Sequence, residues 1–191
     1  MFTIITPAQF KTLPWKNGKG ETIELAINKN ANLDDFEWRI SMASVVEDGV
    51  FSDFSGYTRN LILTEGNGLN LQHDHNQIDK LRKILDVATF DGGCITVGNL
   101  HEGAITDFNI ITSKTKYQTN VSTYPQKTVQ PIKLADLCFV YSLAAEVTFS
   151  SDNNAMSEIL PQGHLLQVSQ QQGSTLMLSG EQMIIVELIN L

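Results

Sequence analysis

Phe36-Glu37-Trp38-Arg39-Ile40-Ser41-Met42-Ala43-Ser44 reads as a β-strand with two unlike faces. Side chains on a strand alternate with a period of two. That places Trp38, Ile40, Met42 and Ser44 on one face and Arg39, Ser41 and Ala43 on the other. The first face is largely apolar. The second sets a planar guanidinium two residues from a hydroxyl on a rigid element, a combination suited to gripping a carboxylate or phosphate.

Outward from this stretch, strand patterns dominate. Candidates run over residues 22–28, 37–46, 60–64, 69–72, 94–99, 104–111, 116–122, 137–142, 146–149, 164–168, 175–178 and 183–189. Turn chemistry separates many of them, as in Glu65-Gly66-Asn67-Gly68, Asp91-Gly92-Gly93 and Ser179-Gly180-Glu181. Many short strands with little helix predict an all-β sandwich or barrel. One short helix is expected at the N-terminus. Thr6-Pro7-Ala8-Gln9 offers an N-cap threonine, proline at the first helical position and glutamine at the third, and Pro14 should end the helix by Leu13. The segments 85–97 and 159–168 share a pattern of apolar run, turn and β-branched strand, as two copies of a small barrel would. The boundary between the halves is expected near residues 113–124, where Thr112-Ser113-Lys114-Thr115-Lys116 breaks the apolar pattern.

Composition excludes several classes. At 191 residues, 42% hydrophobic and 18% charged, the chain can bury a substantial core and is too apolar for a disordered protein. A formal charge of -8 and 13 scattered basic residues argue against a nucleic-acid or anionic-membrane surface. Cys94 and Cys138 sit among apolar neighbours and read as small buried hydrophobes in a reducing compartment. Residues 1–7 lack the basic start and apolar run of a signal peptide, so a cytoplasmic protein is expected.

Few motifs carry catalytic chemistry. There is no Gly-x-Ser-x-Gly elbow, no cysteine beside a histidine and no glycine loop leading into a helix. Gly18-Lys19-Gly20 is either a turn or a set of N–H groups facing an anion together with Lys16 or Lys19. His73-Asp74-His75 has metal-ligand spacing. A metal-binding barrel of the cupin type would follow it with a glutamate and a glycine, and here Asp79 stands in the glutamate's place. Glu24 reads as a solvated carboxylate or one pointing inward beside Thr22. Asp107 and Asn109 share a strand face and could stand opposite Arg39, where Asp107 would orient the guanidinium.

Several motifs occur in order: Trp15-x-Asn17-x-x-Gly20-Glu21-Thr22-x-Glu24, Trp38-Arg39-x-Ser41-x-Ala43-Ser44, Gly49-x-Phe51-Ser52-x-Phe54-x-Gly56-x-x-Arg59, Leu63-x-Glu65-Gly66 and Asp107-Phe108-Asn109-Ile110. Together they resemble the HutD/Ves family. The resemblance implies an all-β bicupin, two double-stranded β-helix (jelly-roll-like) barrels in one compact chain, divided as 1–115 with the N-terminal helix and 116–191. It also implies a non-enzymatic, regulatory binder of a small carboxylate such as a histidine-degradation intermediate like formylglutamate, without catalytic residues, metal or other cofactor. The Ves branch is linked to cold and stress response. Carried over by motif, the ligand-binding candidates are Trp15, Asn17, Thr22, Glu24, Arg39, Ser41, Ser44, Phe51, Ser52, Arg59, Asp107 and Asn109. In this reading Arg39 holds a carboxylate, Ser41 and Asn17 hydrogen-bond the ligand, and Trp15 and Phe51 wall the pocket. Thr58 and Ile111 depart from the family pattern, the first where an acidic residue is common. The expected partner is a small anionic metabolite, with no nucleic acid and no membrane; homodimerisation is left open. The rival reading is a metal-dependent cupin oxygenase or isomerase using His73 and His75.

Overall fold

A computed structural model describes residues 1–15, 20–74, 77–151, 154–169 and 173–191. The chain has the bicupin architecture, organised as two compact units. One comprises Phe10–Lys116, the other Met1–Gln9 together with Tyr117–Leu191.

The strands are β1 (Phe2–Ile5), β2 (Lys11–Pro14), β3 (Glu21–Ile27), β4 (Trp38–Val45), β5 (Gly49–Val50), β6 (Tyr57–Glu65), β7 (Leu69–His73), β8 (Gln77–Leu81), β9 (Val87–Asp91), β10 (Thr96–Leu100), β11 (Ile105–Ser113), β12 (Tyr117–Tyr124), β13 (Thr128–Lys133), β14 (Leu137–Ser142), β15 (Val147–Ser151), β16 (Asn154–Leu160), β17 (Leu165–Ser169), β18 (Thr175–Gly180) and β19 (Met183–Asn190). In the 10–116 unit a six-stranded sheet, β2-β3-β4-β11-β6-β9, faces a four-stranded sheet, β5-β10-β7-β8. Inward side chains of both sheets form its core: Val45, Leu61, Leu63, Leu69, Leu71, Leu81, Ala88, Phe90 and Ile105. The other unit has a five-stranded sheet, β1-β17-β14-β19-β12, and a four-stranded one, β13-β18-β15-β16. Its core includes Cys138, Val140, Phe149, Leu166, Leu178 and Ile185. The two segments with the shared sequence pattern are not equivalent in the fold: β9 leads from the six-stranded sheet into a four-stranded one, whereas β16 leads from a four-stranded sheet into the five-stranded one, where β17 holds beside β14 the place that β9 holds beside β6.

Three expectations need correction. The N-terminal helix is a single 3-10 turn, Pro7–Gln9. Gln9 N–H donates to the Thr6 carbonyl, and Gln9 Oε1 accepts from Thr6 N–H, both at 2.9 Å, so part of the expected capping box is present. The turn stops there because Lys11–Pro14 pairs with β3 from Lys11↔Glu24 to Pro14↔Glu21. A helix halted by Pro14 is too short to compete with that ladder. The N-terminal segment also does not join the barrel that follows it. β1 pairs with β17, Phe2 opposite Val168 and Ile5 opposite Leu165, which assigns residues 1–9 to the unit of residues 117–191. Finally, Cys94 is half-buried, whereas Cys138 is fully enclosed with its Sγ accepting the Ala135 N–H. Strands β8, β9, β13 and β16 lie in segments whose polar residues masked the alternation.

β1 covers the edge of β17, and this has a measurable consequence. Deleting residues 1–5 should raise amide exchange across Leu165–Ser169 and leave Leu69–His73 protected. Unchanged exchange in β17 would contradict the pairing.

Candidate functional site

The six-stranded sheet carries a polar face. β4 pairs with β11 with Asp107 opposite Ala43, Asn109 opposite Ser41 and Ile111 opposite Arg39. β6 pairs on the other side of β11, with Arg59 opposite Ile111 and Leu61 opposite Asn109. β3 brings Thr22 opposite Ala43 and Glu24 opposite Ser41. A bulge between Glu24 and Ala26 then inserts one residue in β3. Thr22, Glu24, Arg39, Ser41, Arg59, Asp107 and Asn109 therefore share one face across four adjacent strands. All but Thr22 are buried.

Arg39 is held by Glu24. Its Nε donates to Glu24 Oε2 at 2.9 Å, and both side chains are 8% exposed. Lys11 Nζ, largely exposed, stands 4.0 Å from the other Glu24 oxygen. The reading of Asp107 as the residue that orients Arg39 is therefore corrected, as is that of Glu24 as a solvated group. Register explains both. Glu24 is opposite Ser41, one same-face step from Arg39, whereas Asp107 lies four residues along β11 from Arg39's partner Ile111. At about 3.4 Å per residue, that is roughly 14 Å along the strand.

Asp107 belongs to a second group. Arg59 Nη2 donates to Asn109 Oδ1 at 2.9 Å, and Asn109 Nδ2 donates to Asp107 Oδ1. The amide thus relays the guanidinium to a carboxyl two same-face positions further along the sheet. Arg59 Nη1 reaches the Ser52 carbonyl at 3.4 Å. The rings of Phe51, Phe54 and Phe90 each have their centroid 5.3 Å from the guanidinium carbon, a cage of aromatic faces around a desolvated cation. Burial lowers the Arg59 pKa to about 10, against the attraction of Asp107, so it remains a cation at neutral pH. Burial acts the other way on Asp107, raising its pKa to about 7 despite Arg59, the Asn109 bond and the Ala43 backbone N–H. Among the described residues, Arg59 Nε and Asp107 Oδ2 are buried without a hydrogen-bond partner.

Arg39, Arg59, Asp107, Asn109, Phe51 and Phe54 line a cavity of about 620 Å³, whereas Glu24 and Phe90 stand behind its wall and do not. Trp15 and Phe51 are among its walls, with Thr22, Ser41, Ser52 and Ala43 also on its surface. The Trp15 indole N–H donates to Thr22 Oγ1 at 2.8 Å, which fixes the ring. Phe51 is set by a glycine. A Cβ on Gly98 would stand 2.4 Å from the Phe51 ring, so only glycine lets that ring lie against β10. Leu33, Val46 and Val50 form an exposed apolar rim. Ser44 points the other way, since it alternates with Ala43 on β4, and does not line the cavity. Asn17 lies outside the described residues. Phe54 and Phe90 were missed as site residues. Phe54 was legible in the Gly49-to-Arg59 motif, three residues after Phe51, but Phe90 reaches Arg59 only through the pairing of β6 with β9.

The HutD family model matches residues 7–186. The chain belongs to the HutD family. It is 34% identical over 118 residues to an uncharacterised 21.2 kDa protein in the hutC 3' region of Pseudomonas putida, covering 62% of each chain. To the protein Ves of Escherichia fergusonii it is 37% identical over 99 residues, covering 51% of each. The matched segments thus span between half and two thirds of these relatives. The solved structure of HutD from Pseudomonas fluorescens SBW25, in a formate condition, superposes with a TM-score of 0.85 at 28% identity over the whole of both chains.

In this HutD-family chain His73 is buried beneath Phe90, with ring centroids 4.5 Å apart. Its Nδ1 stands 2.9 Å from Thr96 Oγ1 and its Nε2 3.1 Å from Asp79 Oδ2. Both ring nitrogens are therefore engaged, and His75 lies outside the described residues. Among the described residues no group of three His, Cys, Asp or Glu side chains is placed to hold a metal ion. No helix among them is long and apolar enough to cross a membrane.

Asp107 also sets a pH dependence of stability. Its carboxyl holds a proton up to about pH 7 in the fold but only to the ordinary carboxylate range when unfolded, so the folded state binds the extra proton between those limits. This group's contribution to stability is therefore fully present below the unfolded value and is lost as pH rises toward the folded one, at up to about 1.4 kcal/mol per pH unit. Asp107→Asn should flatten the stability profile over that range in urea unfolding. Equal slopes for variant and wild type would contradict the assignment.

Proposed function

We propose that the 10–116 barrel binds a small carboxylate, formylglutamate-like in size and charge, and that the protein acts as a non-enzymatic, regulatory binder. The observation that carries this is the pair of buried guanidiniums on one cavity face, each already oriented by protein groups. Arg39 uses Nε on Glu24, which leaves its Nη groups to a ligand, and Arg59 is locked by Asn109, Ser52 and three rings. Fixing a guanidinium before the ligand arrives lowers the entropy cost of binding. Ser41 supplies a neutral hydrogen-bonding group from the same face. The aromatic and aliphatic walls suit the carbon skeleton of the ligand. The hutC 3' region in the name of the Pseudomonas putida relative, and the HutD name of the solved structure, support a ligand from histidine degradation.

Calorimetry with succinate, glutarate and N-formyl-L-glutamate tests this. Arg39→Met combined with Glu24→Gln removes both charges without leaving either buried alone, so the barrel should stay folded. Two charge-assisted bonds of roughly 1.5 kcal/mol each predict a loss of affinity of about a hundredfold. Binding equal to wild type in the folded double variant would contradict the site.

A further inference from the structure

We propose that Asp107 meets the bound carboxylate in its acid form, donating its O–H to a ligand oxygen, so that the pocket takes up one proton with each anion it binds. The inference rests on the carboxylate-binding reading above and adds to it the residue that makes binding proton-coupled.

The geometry begins with the relay. Asn109 commits its carbonyl oxygen to Arg59 and its NH2 to Asp107 Oδ1, so the orientation of the Asp107 carboxyl is fixed and Oδ2 is left over. That oxygen is buried and makes no hydrogen bond of good geometry among the described residues, on a side chain that lines the cavity and is 0% exposed; the Ala43 backbone N–H lies against the same carboxyl and favours its ionised form. As a carboxylate oxygen it would repel an incoming carboxylate. As an O–H it is a donor waiting for an acceptor, and a ligand oxygen supplies one.

Charge decides between the two forms. From β4 Arg39 faces the cavity, but Glu24 of β3 neutralises it, with Lys11 of β2 lying outside against the other Glu24 oxygen. From β6 Arg59 is the remaining cation near Asp107. Glu47 and Asp48 line the cavity beyond β4, and Asp48 Oδ1 accepts the Leu100 N–H. His73, with Asp79, lies behind Phe90. With Asp107 ionised the inner groups sum to zero, and a dicarboxylate, a dianion at neutral pH, would add two unbalanced charges in a desolvated space. With Asp107 protonated they sum to one positive charge, which offsets half of the dianion's charge. Two carboxylates held close together do not both stay ionised, and they share a proton. Burial has already brought Asp107 to the edge of protonation at neutral pH, so the proton is gained at little cost.

The coupling is read by calorimetry of the full chain with glutarate and N-formyl-L-glutamate, in buffers of differing ionisation enthalpy. At pH 8 close to one proton should be taken up per ligand, fewer at pH 6. Affinity should weaken about tenfold per pH unit above the Asp107 pKa. Asp107→Asn, which keeps a donor but does not titrate, should bind without proton uptake and with a flat profile. Binding by the wild type with no proton uptake, or full uptake retained in the variant, would overturn the coupling and leave the carboxylate reading standing. No binding of either probe at any pH would overturn both. If the variant does not fold, the wild-type proton count decides alone.

Discussion

A guanidinium stripped of water has to be repaid by its surroundings, and the site is organised around that constraint at Arg59. Three phenyl rings offer their negative faces, the Asn109 amide and the Ser52 carbonyl accept hydrogen bonds, and Asp107 supplies the distant counter-charge. The partners come from three parts of the barrel: Phe51, Ser52 and Phe54 from the segment between β5 and β6, Asn109 and Asp107 from β11, and Phe90 from β9. The cation is therefore formed as a site only when the six-stranded sheet is fully in register. Arg39 and Glu24 repeat the solution more simply, as a direct ion pair between neighbouring strands.

The two arrangements differ in what they leave open. A buried ion pair made by direct contact balances its own charge, and its breakage is costly because the surviving charge is stranded. A relay through an amide leaves polar atoms at its ends, here Arg59 Nε and Asp107 Oδ2. Buried polar atoms without partners are uncommon in folded proteins, and a water, an ion or a ligand can complete their bonding. The sheet thus combines a rigid charged pair with an incomplete one, on a face whose walls are apolar. That contrast is what the proposed binding of a small carboxylate draws on.

Much of this was legible in the sequence. The alternation Trp38-Arg39-Ile40-Ser41 fixes which side chains share the cavity face, and the all-β class follows from strand and turn spacing. Partner choice was not legible, because it depends on register between strands far apart in the chain. Asp107 and Glu24 are both acidic residues on suitable faces, and only the pairing of β3 with β4, including its bulge, decides that Glu24 reaches Arg39. Ser44 shows the opposite case. It accompanies the site residues in the family motif, yet strand parity alone turns it away from the cavity. The swap of residues 1–9 into the other barrel had no local signal either, since Phe2-Thr3-Ile4-Ile5 carries nothing that names β17 as its neighbour.

We propose that the buried guanidiniums of the 10–116 barrel receive a carboxylate, and a crystal structure grown with N-formyl-L-glutamate would show whether they do. A ligand carboxylate within hydrogen-bond distance of the Arg39 Nη groups, with a second polar group close to Arg59 and Asp107, is the predicted result. Ligand bound elsewhere on the protein, with the cavity holding only water, would contradict it.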